Sequence, residues 1–302
     1  MWQPQDKQST SNLEKSQLKK LLILLFPATI WLLIFFIIPL VIVLIYSFLE
    51  RGTYGGVIWK FTLDNYQRLG QGIYWGIFRR SLFFALITTI MCLLVGYPLA
   101  YFIATIRPPW RNVLLMLVII PFWTNFLVRT YAWIVLLRTE GVFNTALQSL
   151  QIIDEPLNLL FTPFAVILGL VYGYLPFMIL PLYTTIEPFN FSLLEAAQDL
   201  GANDLRTFFR VVLPLTIRGI VAGCLLVFIP AFGAFITPDI LGGAKTMMVG
   251  NLIQNQFLKA RNWPFGSVLS IALIIIVLIP VILYFGISEK ENFYSKSKNE
   301  TS

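Results

Sequence analysis

Six long apolar runs constrain the fold of this sequence more than any other feature. They cover residues 21–49, 81–106, 113–137, 163–186, 215–238 and 266–288. At about 1.5 Å per helical residue, each run is long enough to cross a hydrocarbon layer of about 30 Å. The runs are apolar on every side and do not alternate with polar residues, which favours membrane helices over a β-barrel. The sequence therefore predicts an all-α membrane protein with six transmembrane helices.

The composition excludes several other classes of protein. Hydrophobic residues make up 57% of the chain and charged residues 12%, whereas soluble domains average about 45–50% and about 25%. Too few polar groups are present to cover the surface of a soluble enzyme. The chain has no histidine, so a histidine-based triad or metal site is impossible, and no cofactor is expected. Cys92 and Cys224 lie within apolar runs and are interpreted as small core residues.

Six spans place both chain ends on the same side of the membrane. Basic residues are frequent in the first twenty residues and at Arg107 and Arg111, so the positive-inside rule predicts cytoplasmic termini. The expected organisation is a cytoplasmic tail at 1–20, a six-helix membrane domain at 21–288 and a second cytoplasmic tail at 289–302. The net charge of +7 is attributed to the cytoplasmic face of a lipid bilayer, and no nucleic acid partner is expected.

The loop between the fourth and fifth runs, about residues 188–213, differs in character from the others. Ser192 is predicted to cap a short helix, with Glu195 as its capping-box partner. Gly201 would stop that helix at a position where a positive φ is allowed. A second helix would then enter the membrane at Pro214. The pattern predicts an exposed helix–glycine–helix unit that projects into the cytoplasm.

The spacing within this loop resembles the EAA loop of ABC importer permeases. Glu195-Ala196-Ala197 is followed after three residues by Gly201 and after nine more by Val211-x-Leu213-Pro214, where the family has isoleucine at the first position. The resemblance implies a type I ABC importer permease bundle with a cytoplasmic coupling helix, which is seated in a cleft of a separate ATPase subunit. By this resemblance the ATPase-coupling residues are Glu195, Ala196, Ala197, Asp199, Gly201 and Ala202.

Further stretches make the resemblance more specific. They are Phe61-Thr-Leu-Asp64-Asn65-Tyr66, Gly96-Tyr97-Pro98-Leu-Ala100, Pro121-Phe122-Trp123-Thr124-Asn125, Asp239-Ile-Leu-Gly242-Gly243-Ala244-Lys245 and Trp263-Pro264-Phe265-Gly266. Over about residues 20–288 the chain is similar to the permease subunits of spermidine/putrescine ABC importers. The resemblance implies a bacterial cytoplasmic-membrane complex with a second homologous permease, two ATP-binding cassette subunits and an extracytoplasmic substrate-binding protein.

The chain is not expected to hydrolyse ATP itself. Residues 242–246, Gly-Gly-Ala-Lys-Thr, come nearest to a phosphate-binding loop. That loop needs a glycine directly before the lysine and another five residues earlier, after a strand. Ala244 and Asp239 stand at those two positions. We therefore expect a non-catalytic subunit that depends on a partner for energy.

A polyamine is a flexible polycation, so its path should offer aromatic faces and a few acidic groups. The candidate path residues are Trp123, Asn125 and Tyr131 in the third run, Tyr172 in the fourth run and Asp239 at the outer end of the fifth. Arg129 would repel a polycation from the path, and it is interpreted as an anchor at the outer interface or an ion-pair partner. Two roles are open for Glu187, at the inner end of the fourth run: easing substrate exit, or pairing with an arginine of the inner face, which is favoured.

Three alternatives remain open from the sequence. The same kind of permease could move a different cargo, such as another organic cation or an inorganic oxyanion, because the binding protein largely sets specificity. A self-sufficient secondary transporter would commonly place ionisable residues near the membrane midplane, yet Asp, Glu and Lys are absent from the middle of the six runs. A non-transporting membrane scaffold would need neither proline-kinked spans nor the loop around Gly201.

Overall fold

The computed structural model describes the backbone of residues 24–300 and, within it, the side chains of all residues except 244–245 and 285–300. The predicted N-terminal tail, residues 1–20, and the start of the first apolar run at 21–23 lie outside the described residues.

Helices make up most of the described chain. In chain order they are α1 (Leu24–Ser47), α2 (Asp64–Leu69), α3 (Gly72–Thr105), α4 (Pro108–Trp123), α5 (Phe126–Leu137), α6 (Val142–Ser149), α7 (Pro163–Ile186), α8 (Ser192–Asp199), α9 (Asp204–Phe232), α10 (Ile236–Leu241), α11 (Val249–Gln254) and α12 (Trp263–Glu300). Wider π-helical turns lie at Leu33–Ile37 in α1, at Phe208–Val212 in α9 and at Asn255–Lys259 after α11, and a short 3₁₀ turn covers Gly243–Thr246. Two antiparallel strands, β1 (Leu49–Arg51) and β2 (Val57–Phe61), form a hairpin after α1.

Five helices are long and apolar enough to cross a membrane, and a sixth span results when the bent pair α4 and α5 is counted as one. This agrees with the predicted six-span, all-α fold. The third span is nevertheless broken, with a bend of 91° between its two parts, so the expectation of one continuous helix over 113–137 is wrong. Thr124 and Asn125 both have extended backbone angles, which end the first helix and start the second.

Several span boundaries also differ from the apolar runs. Helix α3 begins at Gly72 and α9 at Asp204, because helical turns continue into polar residues that a count of apolar side chains leaves out. The fifth run was predicted to continue to residue 238, but its helix ends at Phe232 and the short helix α10 follows. Helix α12 continues to Glu300, past the predicted end of the sixth span at 288.

The core of the bundle is formed by α3, α7 and α9. Gly219 and Gly223 on α9 allow close contact with α7, since a Cβ atom at Gly219 would collide with Thr185 and one at Gly223 would lie 2.8 Å from the Met178 sulfur. Small residues four apart are a common device for close packing of membrane helices. Between α3 and α9, the hydroxyls of Tyr97 and Thr216 are hydrogen-bonded at 3.0 Å.

The hairpin covers the residues that precede α12. The Gly56 N–H donates to the Arg261 carbonyl at 2.9 Å, and the Arg51 guanidinium donates to the Ala260 carbonyl at 2.8 Å. On its surface, Lys60 and Glu50 form an ion pair at 2.9 Å, and this hydrogen bond and charge raise the pKa of Lys60. The hairpin, which follows the first span, is therefore hydrogen-bonded to the residues directly before the last span.

Candidate functional site

The short helix α8, in the loop between α7 and α9, is held at its start by Asn190. The Asn190 Oδ1 atom accepts hydrogen bonds from the Ser192 backbone N–H at 3.1 Å and from the Ser192 hydroxyl at 2.8 Å. No side chain caps the helix at the position before Ser192, so the predicted capping box of Ser192 and Glu195 is wrong. Asn190 supplies the oxygen instead because an asparagine side chain readily bonds the backbone two residues further on.

An aromatic contact anchors the same turn to the membrane bundle. The ring of Phe191 lies 6.4 Å from that of Tyr101, near the end of α3, and 5.3 Å from that of Phe189. Behind α8, Tyr101 and Phe208 also line a cavity of about 360 Å³. Asn190 and Phe191 are not among the residues predicted from the sequence, although the Phe-Asn-Phe segment before Ser192 was the available signal.

Helix α8 ends in a Schellman motif, a paired hydrogen-bond arrangement at a helix C-terminus. The Ala202 N–H donates to the Ala197 carbonyl at 3.0 Å, and the Gly201 N–H donates to the Gln198 carbonyl at 2.8 Å. The φ of Gly201 is 84°, which a glycine adopts without a Cβ penalty. The predicted glycine stop with a positive φ is confirmed.

The six predicted coupling residues lie in α8 and directly after it. They are Glu195, Ala196, Ala197, Asp199, Gly201 and Ala202; Ala197 and Ala202 are half-buried and the others are exposed. Exposed apolar side chains flank them, and Leu200 is 89% and Leu205 68% exposed. Large apolar side chains that stay exposed beside a loop helix suit a contact site for another protein. The local structure therefore suits docking, whereas the coupling role itself stays a prediction.

The chain returns from α8 directly into the fifth span. The Asn203 Oδ1 atom accepts from the Arg206 N–H at 2.9 Å, and the Gln198 side chain donates to Asp204 at 3.0 Å across the turn. Helix α9 then runs past Pro214 without a break. Its π-helical turn at Phe208–Val212 ends two residues before Pro214, and this wider turn accommodates the missing proline N–H. Helix α8 is therefore joined to a membrane span through a short, hydrogen-bonded turn.

The predicted path residues of the third span surround its break. Trp123 ends α4 with 83% of its surface exposed. The Asn125 Oδ1 atom accepts from the Leu127 N–H at 2.8 Å and so caps α5. Tyr131 is exposed on α5. The amide that was expected to serve a substrate thus has a structural role in starting the second half of the span.

Arg129 and Tyr172 are brought together beside this break. The guanidinium carbon of Arg129 lies 6.0 Å from the centre of the Tyr172 ring, 5.6 Å from Phe126 and 5.9 Å from Phe122. The Tyr172 ring also packs edge-on against Trp133 at 5.5 Å. No carboxylate pairs with Arg129 among the residues whose side chains are described. The aromatic rings therefore take the place of the predicted ion-pair partner.

The fifth span is interrupted at a cavity that the third span also borders. This cavity of about 230 Å³ is lined by Phe126, Tyr174, Pro230, Gly233, Ala234, Phe235, Ile236 and Thr237. The Tyr174 hydroxyl donates to the Pro230 carbonyl at 3.3 Å, and the Asn251 amide donates to the Phe235 carbonyl at 2.6 Å. Backbone groups released by a broken membrane helix need partners or a wet cavity, and both are present here.

None of the five predicted path residues lines that cavity. Asp239 lies on α10 just beyond the interruption; its side chain is exposed and forms no ion pair with any other described side chain. Phe126 and Asn251 are not among the residues predicted from the sequence. The proline and glycine at residues 230 and 233 were a signal for the interruption. That the interruption lies opposite the third-span break depends on tertiary packing, which the sequence pattern does not reveal.

Comparisons with known proteins agree with this architecture. The chain is 49% identical over 255 residues to the spermidine/putrescine transport system permease protein PotB of Haemophilus influenzae, covering 84% of this chain and 89% of the relative. It is 47% identical over 262 residues to PotB of Escherichia coli, covering 87% and 95%. These alignments extend well beyond the coupling loop and include most of the membrane domain.

A solved structure shares the fold. A chain of a bacterial ABC transporter involved in the import of alginate matches with a TM-score of 0.70 and 18% identity, over 94% of this chain and 99% of that one. The family model described as binding-protein-dependent transport system inner membrane component matches residues 96–289, which include the coupling loop and both broken spans. The chain belongs to this family of inner membrane transport components.

Proposed function

We propose that this chain is the permease subunit of an ATP-driven ABC importer and that its cargo is a polyamine such as spermidine or putrescine. The observation that carries the proposal is the high identity, over most of the chain, with two permeases named for spermidine/putrescine transport. The two alignments cover 84% and 87% of this chain, so the similarity extends through most of the membrane spans.

The energy for transport comes from separate subunits. Helix α8 and the exposed leucines beside it form a compact surface for a cleft in an ATP-binding cassette subunit. The complex contains two such subunits, a second homologous permease and an extracytoplasmic binding protein that delivers the cargo. ATP binding closes the ATPase pair, and the turn at Gly201 passes that movement to α9.

The coupling loop faces the cytoplasm, as do both chain termini. The support comes from basic residues at the same end of the bundle as α8. Arg111 forms an ion pair with Glu187, which directly follows α7, and it lies close to the turn at Arg107 between the second and third spans. By the positive-inside rule this end is cytoplasmic.

The polyamine path passes the two broken spans. Trp123, Tyr131 and Tyr172 offer aromatic faces to a cation, Asn125 offers an amide, and Asp239 supplies a negative charge at the outer end. All five side chains are exposed in the single subunit. This supports the assignment, because residues that line a path between two permeases are uncovered when the second permease is absent.

The test is reconstitution. The chain is co-expressed with the candidate second permease, ATPase and binding protein, and the purified complex is placed in proteoliposomes with radiolabelled spermidine. We expect uptake that requires both ATP and the binding protein. Uptake by this chain alone, without ATP, would overturn the importer proposal and favour a secondary transporter.

Two coupling variants sharpen the test. Glu195→Lys and Gly201→Pro should lower ATP hydrolysis stimulated by the binding protein by about tenfold or more, because they alter the docking surface and the turn. Glu140→Lys makes the same charge change at an exposed position between α5 and α6 and should leave hydrolysis near the wild-type rate. Equal losses in Glu195→Lys and Glu140→Lys would contradict the assigned coupling surface.

A different cargo is the second candidate within the same permease class. Ligand binding by the purified binding protein decides between the two, since that protein largely sets specificity. Binding of an oxyanion and failure to bind spermidine or putrescine would keep the importer and reject the polyamine.

A further inference from the structure

Arg129 is a cation that its own chain holds against aromatic rings. Its guanidinium carbon lies 5.6–6.0 Å from the ring centres of Phe122, Phe126 and Tyr172, within the distance of about 6 Å over which rings attract a cation. Its Nε atom is buried and has no hydrogen-bond partner. Among the side chains that the structure describes, no carboxylate balances its charge.

This aromatic cluster, defined as Phe122, Phe126 and Tyr172, adjoins the cavity between the broken spans. Phe126 belongs to both, since it lies under the guanidinium and lines the cavity together with Gly233 and Phe235 of the interrupted fifth span. An arginine within a membrane segment almost always faces the protein interior or a wet cavity. The position of Arg129 four residues after the break at Asn125 fits that rule.

An ammonium group that enters the cavity would meet Phe126, the one ring of the cluster that lines it. Two cations cannot share the cluster without mutual repulsion, which is strong where little water is present. A ring that holds Arg129 is therefore less available to a substrate amine, and a substrate amine on the ring weakens the hold on Arg129. The two cations therefore compete for the Phe126 ring.

We propose that Arg129 is an internal competitor of the cationic substrate for the Phe126 ring of this aromatic cluster, so that the cavity binds an ammonium group only briefly. The guanidinium lies against the rings when no substrate is present and leaves Phe126 when an ammonium group arrives. When the guanidinium returns, it favours release of the ammonium group. The proposal rests on the polyamine function proposed above. It gives Arg129 a transport role that neither an interface anchor nor an ion-pair partner would have.

The test compares Arg129→Gln, which removes the charge, with Arg129→Lys, which retains it. Each is made in the full complex with both permeases and the ATPase pair. Equilibrium binding of radiolabelled spermidine is measured on the complex without binding protein, and ATP-driven uptake is measured with it. We expect Arg129→Gln to bind spermidine about tenfold more tightly and to turn over more slowly, whereas Arg129→Lys stays near wild type, because only the former removes the competing cation.

The outcomes separate this proposal from the function on which it rests. Absence of spermidine uptake by the wild-type complex would reject the polyamine function. Wild-type uptake with unchanged or weaker spermidine binding in Arg129→Gln would overturn the competitor role alone. Arg129→Met serves as a second neutral variant if Arg129→Gln fails to assemble. Failure of both neutral variants to assemble, judged by co-purification of the second permease, would make Arg129 an assembly residue and also overturn the proposal.

Discussion

Arg111 and Glu187 form an ion pair at 2.8 Å that joins the start of α4 to the end of α7. The other terminal nitrogen of the same guanidinium donates to the Ala104 carbonyl at 2.9 Å, in the last turn of α3. One side chain therefore connects three membrane segments at the end of the bundle from which the coupling loop departs. The expected pairing of Glu187 with an arginine is confirmed, and the assignment of this arginine to the inner face stays a prediction.

We expect Arg111→Ala to destabilise the protein more than Glu187→Ala. The Glu187 side chain is 42% exposed, so loss of the ion pair alone should cost only about 0.2–1 kcal/mol. Arg111→Ala also removes the bond to the Ala104 carbonyl, which should add about 1 kcal/mol. Thermal unfolding of the two variants and of the double variant in nanodiscs measures both contributions. Equal losses in the two single variants would show that the Ala104 bond adds nothing.

The sequence predicted features that depend on one stretch of chain. The apolar run 163–186 matches α7 at both ends, and the spacing around Gly201 predicted its positive φ. The break at Thr124–Asn125 was not predicted, because its surroundings are apolar and a hydropathy pattern does not distinguish a bent span from a straight one. The contacts of Arg129 with rings from two spans likewise depend on how α5 and α7 pack.

Asn190→Ala should weaken α8 more than Ser192→Ala. Asn190 supplies the oxygen that accepts both hydrogen bonds at the start of the helix, whereas the Ser192 hydroxyl is only a donor to it. Loss of a cap of this kind costs about 0.5–2 kcal/mol. We expect hydrogen exchange of the α8 amides to increase in Asn190→Ala and to change little in Ser192→Ala. The opposite order would restore the capping box predicted from the sequence.

Substitutions at Gly201 should follow their tolerance of a positive φ. A Cβ atom there would meet nothing within 4 Å, so any loss comes from the backbone and not from a collision. Left-handed backbone costs about 1–2 kcal/mol in most residues but less in asparagine. We therefore expect Gly201→Asn to keep most of the ATP hydrolysis stimulated by the binding protein, Gly201→Ala to keep less and Gly201→Val least. A similar loss in all three variants would indicate that the bulk of the side chain, and not φ, is decisive at the docking surface.

The contact between the interrupted fifth span and α11 should tolerate a methyl group at Gly233 but not at Gly250. Gly250 lies on α11, and a Cβ atom there would collide with the carbonyl oxygens of Gly233 and Ala234 in the interrupted segment. At Gly233 the nearest atoms would be 4.0 Å away, and its φ of −89° suits an alanine. Because the obstacle at Gly250 is backbone, relief requires the interrupted segment to move away from α11. We expect Gly250→Ala to lose about 1–3 kcal/mol of stability and most spermidine uptake, and Gly233→Ala to unfold near the wild-type temperature. Wild-type uptake in Gly250→Ala would mean that the close seating of this segment on α11 is not needed for transport.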